Sequence, residues 1–255
     1  MNLIARDHLF IVTGASRGMG LAMAQQLLRP GNTLLCISRS SAEALTAAAA
    51  QSGGTLLQWS QDLALSARAG ARLEQWLTEQ NGAQFASATL INNAGVIARI
   101  GPLSNADADD LSRALRVGLE APMQLTSAFL RATEAWAAVR KVLNISSGLG
   151  RRAMAAQAGY CAAKAGMDHF TRCVALDEAL KHNGAKVCSL APGVIDTDMQ
   201  VQLRSADASA FADRAAFVRL KDSGSLASPE QAARSVLAYL ARDDFGVEPV
   251  ADVRG

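Results

Sequence analysis

The start of this chain constrains its fold more than any other part. The short apolar run Leu9–Thr13 (LFIVT) passes directly into Gly14–Gly20 (GASRGMG), and a helical pattern then runs on to Pro30–Gly31. Such a run, bounded by Asp7–His8 and a glycine, suits a parallel strand buried on both faces. A glycine-rich turn between a strand and a helix lets backbone N–H groups approach a pyrophosphate at the helix N-terminus. The spacing is G-x-x-x-G-x-G rather than G-x-G-x-x-G, and three glycines in a turn also have a purely structural reading. Their position between the first strand and the first helix favours dinucleotide binding.

The same alternation continues along the chain. Strands are expected at 33–38, 55–60, 88–92, 141–146 and 185–190, with a short last one at 249–253. Helices are expected at about 42–51, 66–80, from Asp107 onward with Gly118 and Pro122 interrupting or kinking it, at about 158–181, and from Ser228 to near Arg242. Ser228-Pro229-Glu230-Gln231 is a capped helix start, with Pro in the first turn and Gln reaching back. No repeat or linker breaks the pattern, so residues 1–255 read as one doubly wound α/β domain with a mostly parallel sheet. Residues 198–224 are polar and alanine-rich, and read equally as a substrate lid or as an ordinary surface helix pair.

Two features follow the second and third strands. Arg39, with Ser40 and Ser41, stands where a dinucleotide-binding unit meets the adenosine ribose, and no acid occurs until Glu43. An acid there would bond the 2′-hydroxyl of NAD, whereas arginine accommodates the 2′-phosphate of NADP. With Arg17 in the glycine turn, this points to NADP(H), although either arginine alone reads as a solvated charge. Asp62–Leu63 lies where an adenine ring would sit, and Asp62 also reads as a cap for the next helix. Asn93-Ala94-Gly95, after the fourth strand, would allow close approach of a cofactor.

Tyr160 and Lys164 stand one helical turn apart and share a face. An ammonium beside a phenol favours the phenolate and lowers the tyrosine pKa. Ser147 lies just beyond the end of the fifth strand, at the sheet edge where open α/β proteins bind ligands. Its hydroxyl could hold a carbonyl oxygen while Tyr160 donates a proton.

Bulk properties exclude other classes. The net charge is +2 with interleaved signs, and Arg151–Arg152, an adjacent basic pair, reads as an exposed loop, so no nucleic-acid footprint is present. The histidines form no metal-ligand spacing, so no metal is expected. The four cysteines are far apart, and three lie in apolar surroundings that suit reduced, buried thiols. With no evident leader and no apolar run of spanning length, a cytoplasmic protein without membrane association is expected.

Taken together, TGASRGMG (13–20), NNAG (92–95), Ser147, Tyr160-x-x-x-Lys164 and Pro192-Gly193 with Thr197 resemble the short-chain dehydrogenase/reductase family over nearly the whole chain. The resemblance implies a seven-stranded Rossmann-type sheet and a nicotinamide cofactor. That cofactor would lie against Gly14, Ser16, Arg17, Gly18, Met19, Gly20, Arg39, Ser40, Asp62, Leu63, Asn93, Ala94, Gly95, Tyr160, Lys164, Pro192, Gly193, Val194 and Thr197. The resemblance assigns Tyr160 as general acid, Lys164 as its pKa-lowering partner and ribose ligand, and Ser147 as the carbonyl orienter. It also implies homodimers or homotetramers built on the helices at about 107–135 and 158–181. Longer stretches, among them YCAAKAGMDHFTRCVALDE (160–178), resemble sepiapterin-reductase-like members, with diketone-reducing (benzil) relatives of similar shape. That subgroup implies substrate contacts from Ser147, Tyr160, Gly193, Met199 and Asp252, the last anchoring a ring. The expected activity is therefore NADPH-dependent reduction of a ketone or vicinal dicarbonyl, and the alternative is a non-catalytic NADP(H)-binding sensor or scaffold. One departure supports that alternative. Where the family has an asparagine thought to hold a water in a proton relay, this chain has Gly118, so an altered relay is expected.

Overall fold

The computed structural model describes residues 7–254, so part of the N-terminal stretch read for a leader lies outside them. Seven strands form one sheet: β1 (Asp7–Thr13), β2 (Asn32–Ser38), β3 (Thr55–Ser60), β4 (Phe85–Asn92), β5 (Val139–Ile145), β6 (Lys186–Ala191) and β7 (Val250–Asp252). Their order is β3-β2-β1-β4-β5-β6-β7 and every pairing is parallel. The helices between them are α1 (Gly18–Leu27), α2 (Glu43–Ser52), α3 (Ser66–Thr78), α4 (Ala108–Leu115), α5 (Ala121–Ala132), α6 (Ala158–Ala179), α7 (Asp198–Ser205), α8 (Arg214–Asp222) and α9 (Pro229–Leu240).

A parallel sheet is stable only with both faces covered, and the side-chain alternation of each strand divides between two cores. Leu34 and Cys36 of β2 join Val12 and Ile91 in the core under α1 and α9, whereas Leu35 and Ile37 join Leu9, Ile11 and Leu90 under α3 and α5. The chain winds outward from β1 to β3, then crosses to β4 on the other side of β1. That reversal leaves a crevice beyond the carboxyl ends of β1 and β4, where open α/β sheets bind ligands.

The helix expected from Asp107 is interrupted at Gly118, as read, and runs on through Pro122. Asp107 caps α4, accepting the Asp110 N–H at 2.8 Å. The helix then widens into a π-turn at Arg116–Glu120 and resumes as α5, with Pro122 in its first turn. Glu120 and Ala121 are themselves helical, so the run continues through Pro122 and the irregularity is the π-turn around Gly118. Gly118 is buried, and a Cβ there would contact the Ala163 Cβ of α6 at 3.4 Å.

Residues 198–224 fold mainly as the pair α7 and α8, with Phe211 against Phe217 at 5.6 Å between ring centroids. Asp196 ties the pair to the loop after β6 through Lys221 at 2.5 Å and Arg204 at 3.5 Å. The cap of α9 forms as read, with Ser228 and Gln231 each bonding the other's backbone N–H. Cys36 and Cys188 are buried, but Cys161 is half-buried and Cys173 exposed. Two thiols rather than three are therefore in the core, because α6 turns Cys173 outward. Among the described residues, no helix is long and apolar enough to cross a membrane. No group of three or more His, Cys, Asp or Glu among them is arranged to hold a metal ion.

Candidate active site

The crevice beyond the strand ends is a cleft of about 1030 Å³. At its floor, the glycine turn and the NNAG segment are bonded to each other. The Thr13 hydroxyl accepts the N–H groups of Asn93 and Ala94, both at 3.0 Å, and the Asn93 amide donates to the Thr13 carbonyl at 2.9 Å. Gly14 has φ +68°, and a Cβ there would lie 2.9 Å from the Ala94 Cα. A Cβ at Gly20 would lie 2.2 Å from the Gly14 carbonyl oxygen. Both glycines are thus required by close approach of backbone to backbone. The first turn of α1 lines the cleft and has no side-chain cap, so its N–H groups are available to an anion. A bare helix N-terminus behind a narrow glycine turn fits the pyrophosphate of a dinucleotide.

The adenosine end departs from expectation in three places. Arg39 lines the cleft, but the exposed Ser40 does not. Arg17 pairs with Asp198 at the start of α7, Nη1 to Oδ2 3.0 Å, so it is shared with the α7–α8 segment. Asp62 does not cap α3: Leu65 holds the N-cap position, and the Asp62 carboxylate accepts the Ala64 N–H at 2.9 Å in the preceding turn. Asp62 and the buried Leu63 both line the cleft.

On the opposite wall, Ser147 lies two residues beyond the end of β5 and caps a short 3-10 turn, accepting the Leu149 N–H at 3.2 Å. Tyr160 and Lys164 extend from the first two turns of α6. Lys164 is 4 % exposed, donates to the Ile145 carbonyl at 2.6 Å, and lies 5.7 Å from the centre of the Tyr160 ring. Burial brings the lysine down to about 8, with Asp168 opposing. Burial pushes the Tyr160 phenol above its ordinary value, while a hydrogen bond with Ser147 acts in the opposite direction. The expectation of a lysine-depressed tyrosine is therefore reversed here. Burial outweighs the Ser147 hydrogen bond, so the phenol stands above its ordinary value. A protonated phenol beside a hydroxyl can give a proton to a carbonyl oxygen.

Pro192, Gly193, Val194, Thr197 and Met199 line the mouth with α7. Asp252 does not: it belongs to β7, and the Arg254 backbone and guanidinium occupy its carboxylate at 2.8–3.0 Å. Two residues after β7, it is Arg254 that lines the cleft. Sequence reasoning also missed Gln157, Gln200 and Phe217. Gln157 is buried with its amide nitrogen unpartnered, as is Gln200 with its amide oxygen. Gln157, three residues before Tyr160, was within reach of a spacing argument. Gln200 and Phe217 sit in the polar, alanine-rich stretch and had no such signal.

Residues 8–208 match the short chain dehydrogenase family. The chain belongs to that family. It is 36 % identical to a benzil reductase ((S)-benzoin forming) of Bacillus cereus over 92 % of this chain and 94 % of that protein. It is 30 % identical to the sepiapterin reductase of Xenopus tropicalis over 93 % of this chain and 92 % of that one. A dehydrogenase from Agrobacterium tumefaciens, solved with bound NADP, superposes with a TM-score of 0.78 at 27 % identity, covering 97 % of this chain and 95 % of the other. This short-chain dehydrogenase is thus an oxidoreductase acting on CH–OH and C=O groups, and its family uses NAD(P).

Proposed function

We propose that the protein is an NADPH-dependent reductase of ketones, with vicinal dicarbonyls as the preferred substrate class. The observation that carries this reading is the convergence of Ser147, Tyr160 and Lys164 on the wall facing the glycine turn. A reduced nicotinamide, when bound, supplies a hydride to the carbonyl carbon. Ser147 orients the carbonyl oxygen by hydrogen bonding as negative charge develops on it. Tyr160, held protonated by burial, gives that oxygen its proton. Lys164 positions the ribose side of the cofactor and places positive charge below the phenol.

The preference for NADPH rests on Arg39, exposed at the end of β2 with no acid beside it, and secondarily on Arg17. Dicarbonyl substrates are favoured by the likeness to the benzil reductase over nearly the full length of both chains. Copies are proposed to associate through α5 and α6, where Met123, Leu176 and Leu180 expose apolar side chains.

The deciding experiment follows NADPH oxidation against benzil, other vicinal diketones and sepiapterin, in parallel with NADH. Turnover of a diketone with NADPH is expected, falling about 10²–10⁴-fold in Tyr160→Phe while cofactor binding survives. Equal or better use of NADH would overturn the cofactor assignment. An unaffected Tyr160→Phe variant would overturn the catalytic one.

A further inference from the structure

Behind the cleft lies a buried charge that the proposed reaction does not use. Asp168 is 1 % exposed and follows Lys164 on α6 by one turn. One carboxylate oxygen accepts two hydroxyls, from Ser146 immediately after β5 at 2.5 Å and from Ser189 within β6 at 2.7 Å. The other oxygen has no hydrogen bond and faces the Arg151 Nε at 3.8 Å. Gly150 allows this approach: a Cβ there would lie 2.7 Å from that second oxygen and 3.0 Å from the Lys164 carbonyl oxygen. The turn carrying Ser147 is thus seated on the same carboxylate that stands below Lys164.

A carboxylate buried with an unfilled oxygen is costly, and hydrogen bonding alone does not require it. An asparagine of the same shape could accept both hydroxyls. What asparagine cannot supply is negative charge near a buried ammonium. We propose that Asp168 is a positioning residue: its charge balances the Lys164 ammonium from behind, and its bonds align the Ser147 turn with Tyr160 and Lys164. Its catalytic consequence rests on the carbonyl-reductase reading. The charge balance does not.

The other groups around Lys164 leave this part to Asp168. On α6 they are Tyr160 and Asp168, and beside Asp168 stand Arg151 of the Ser147 turn and the buried Cys188 of β6. From the end of β5 comes the Ile145 carbonyl and from the next residue the Ser146 hydroxyl, and the π-turn packed on α6 offers buried Val117 and Gly118. Gly95, on the cofactor side, carries no charge. Among these neighbours Asp168 is the one carboxylate. It also opposes the burial that lowers the lysine.

The chain has five lysines, so [ε-13C]lysine NMR on the intact protein can follow Lys164, assigned with Lys164→Met. In Asp168→Asn the Lys164 midpoint is expected to fall by about one pH unit or more. Asp168→Glu should keep the parent value, and the alkaline limb of kcat should move with the midpoint. Arg151→Gln, altered at a partly exposed side chain, removes the cation that competes for Asp168 and should raise the midpoint. If Asp168→Asn does not fold, Arg151→Gln decides alone: a rise supports the proposal, and an unchanged or lower midpoint overturns it. A parent-like titration in folded Asp168→Asn also overturns it, because a purely structural residue would change rate or stability without moving Lys164. If the parent reduces no carbonyl, the functional reading fails while the titration still decides the charge balance.

Discussion

Gly20→Ala tests whether the glycine turn is set by backbone contact. The added methyl carbon would stand 2.2 Å from the Gly14 carbonyl oxygen and 2.4 Å from the Asn93 amide nitrogen. Ordinary contact begins about 1 Å farther out, and neither neighbour can yield cheaply. The Gly14 carbonyl is backbone, and the Asn93 amide is bonded to the Thr13 carbonyl. Overpacking of this kind costs about 1–3 kcal/mol. If the turn relieves it by opening, the cost falls on the N–H groups that would receive the pyrophosphate, and about 2 kcal/mol corresponds to roughly 30-fold in Kd. The assay pairs urea denaturation with a fluorescence titration of NADPH. Gly101→Ala is the control: a Cβ there meets nothing within 4 Å, and both measurements should stay near the parent's. A Gly20→Ala variant matching the parent in stability and in Kd would refute the reasoning.

Two further outcomes follow from buried groups. Gly118→Asn should be accommodated, since its Cβ would meet one methyl at 3.4 Å, and should change turnover and its pH profile by restoring an amide beside α6; an unchanged profile counts against an altered proton relay. Stability should also fall on the alkaline side. Lys164 is lowered from 10.5 to about 8, so the unfolded chain holds one more proton between those values and stability rises with pH there. Cys36 and Cys188 are raised from 9.0 to about 12, so above pH 9 the folded chain holds two more and stability falls. The balance is a rise between about pH 8 and 9, then a loss of about 1.4 kcal/mol per pH unit from 9 to 10.5, and about twice that slope above 10.5, where Lys164 no longer opposes the two thiols. Thermal melts across this range check it, and Cys36→Ala with Cys188→Ala should remove the decline.

Much of the site was legible because its parts lie close in sequence. The glycine turn, NNAG, and the Tyr160–Lys164 pair are local patterns whose spacing carries their geometry. Asp252 and Ser40 were less legible: one residue's difference in direction at a strand end decides whether a side chain enters the cleft, and Arg254 enters instead of Asp252. The Asp62 cap was a reasonable local reading, but α3 begins three residues after Leu63, so the carboxylate closes a turn instead.

The sequence alone determined the α/β alternation, because strand and helix periods are written in neighbouring residues. It also determined which side chains could do acid–base chemistry. Only the tertiary structure decided how those groups are charged. Tyr160 is raised rather than lowered, Arg17 is shared with Asp198, and Asp168 follows Lys164 by one turn, bonded to the Ser146 and Ser189 hydroxyls. Charge depends on burial and on partners distant along the chain, and these exist only once the sheet has brought its strand ends together.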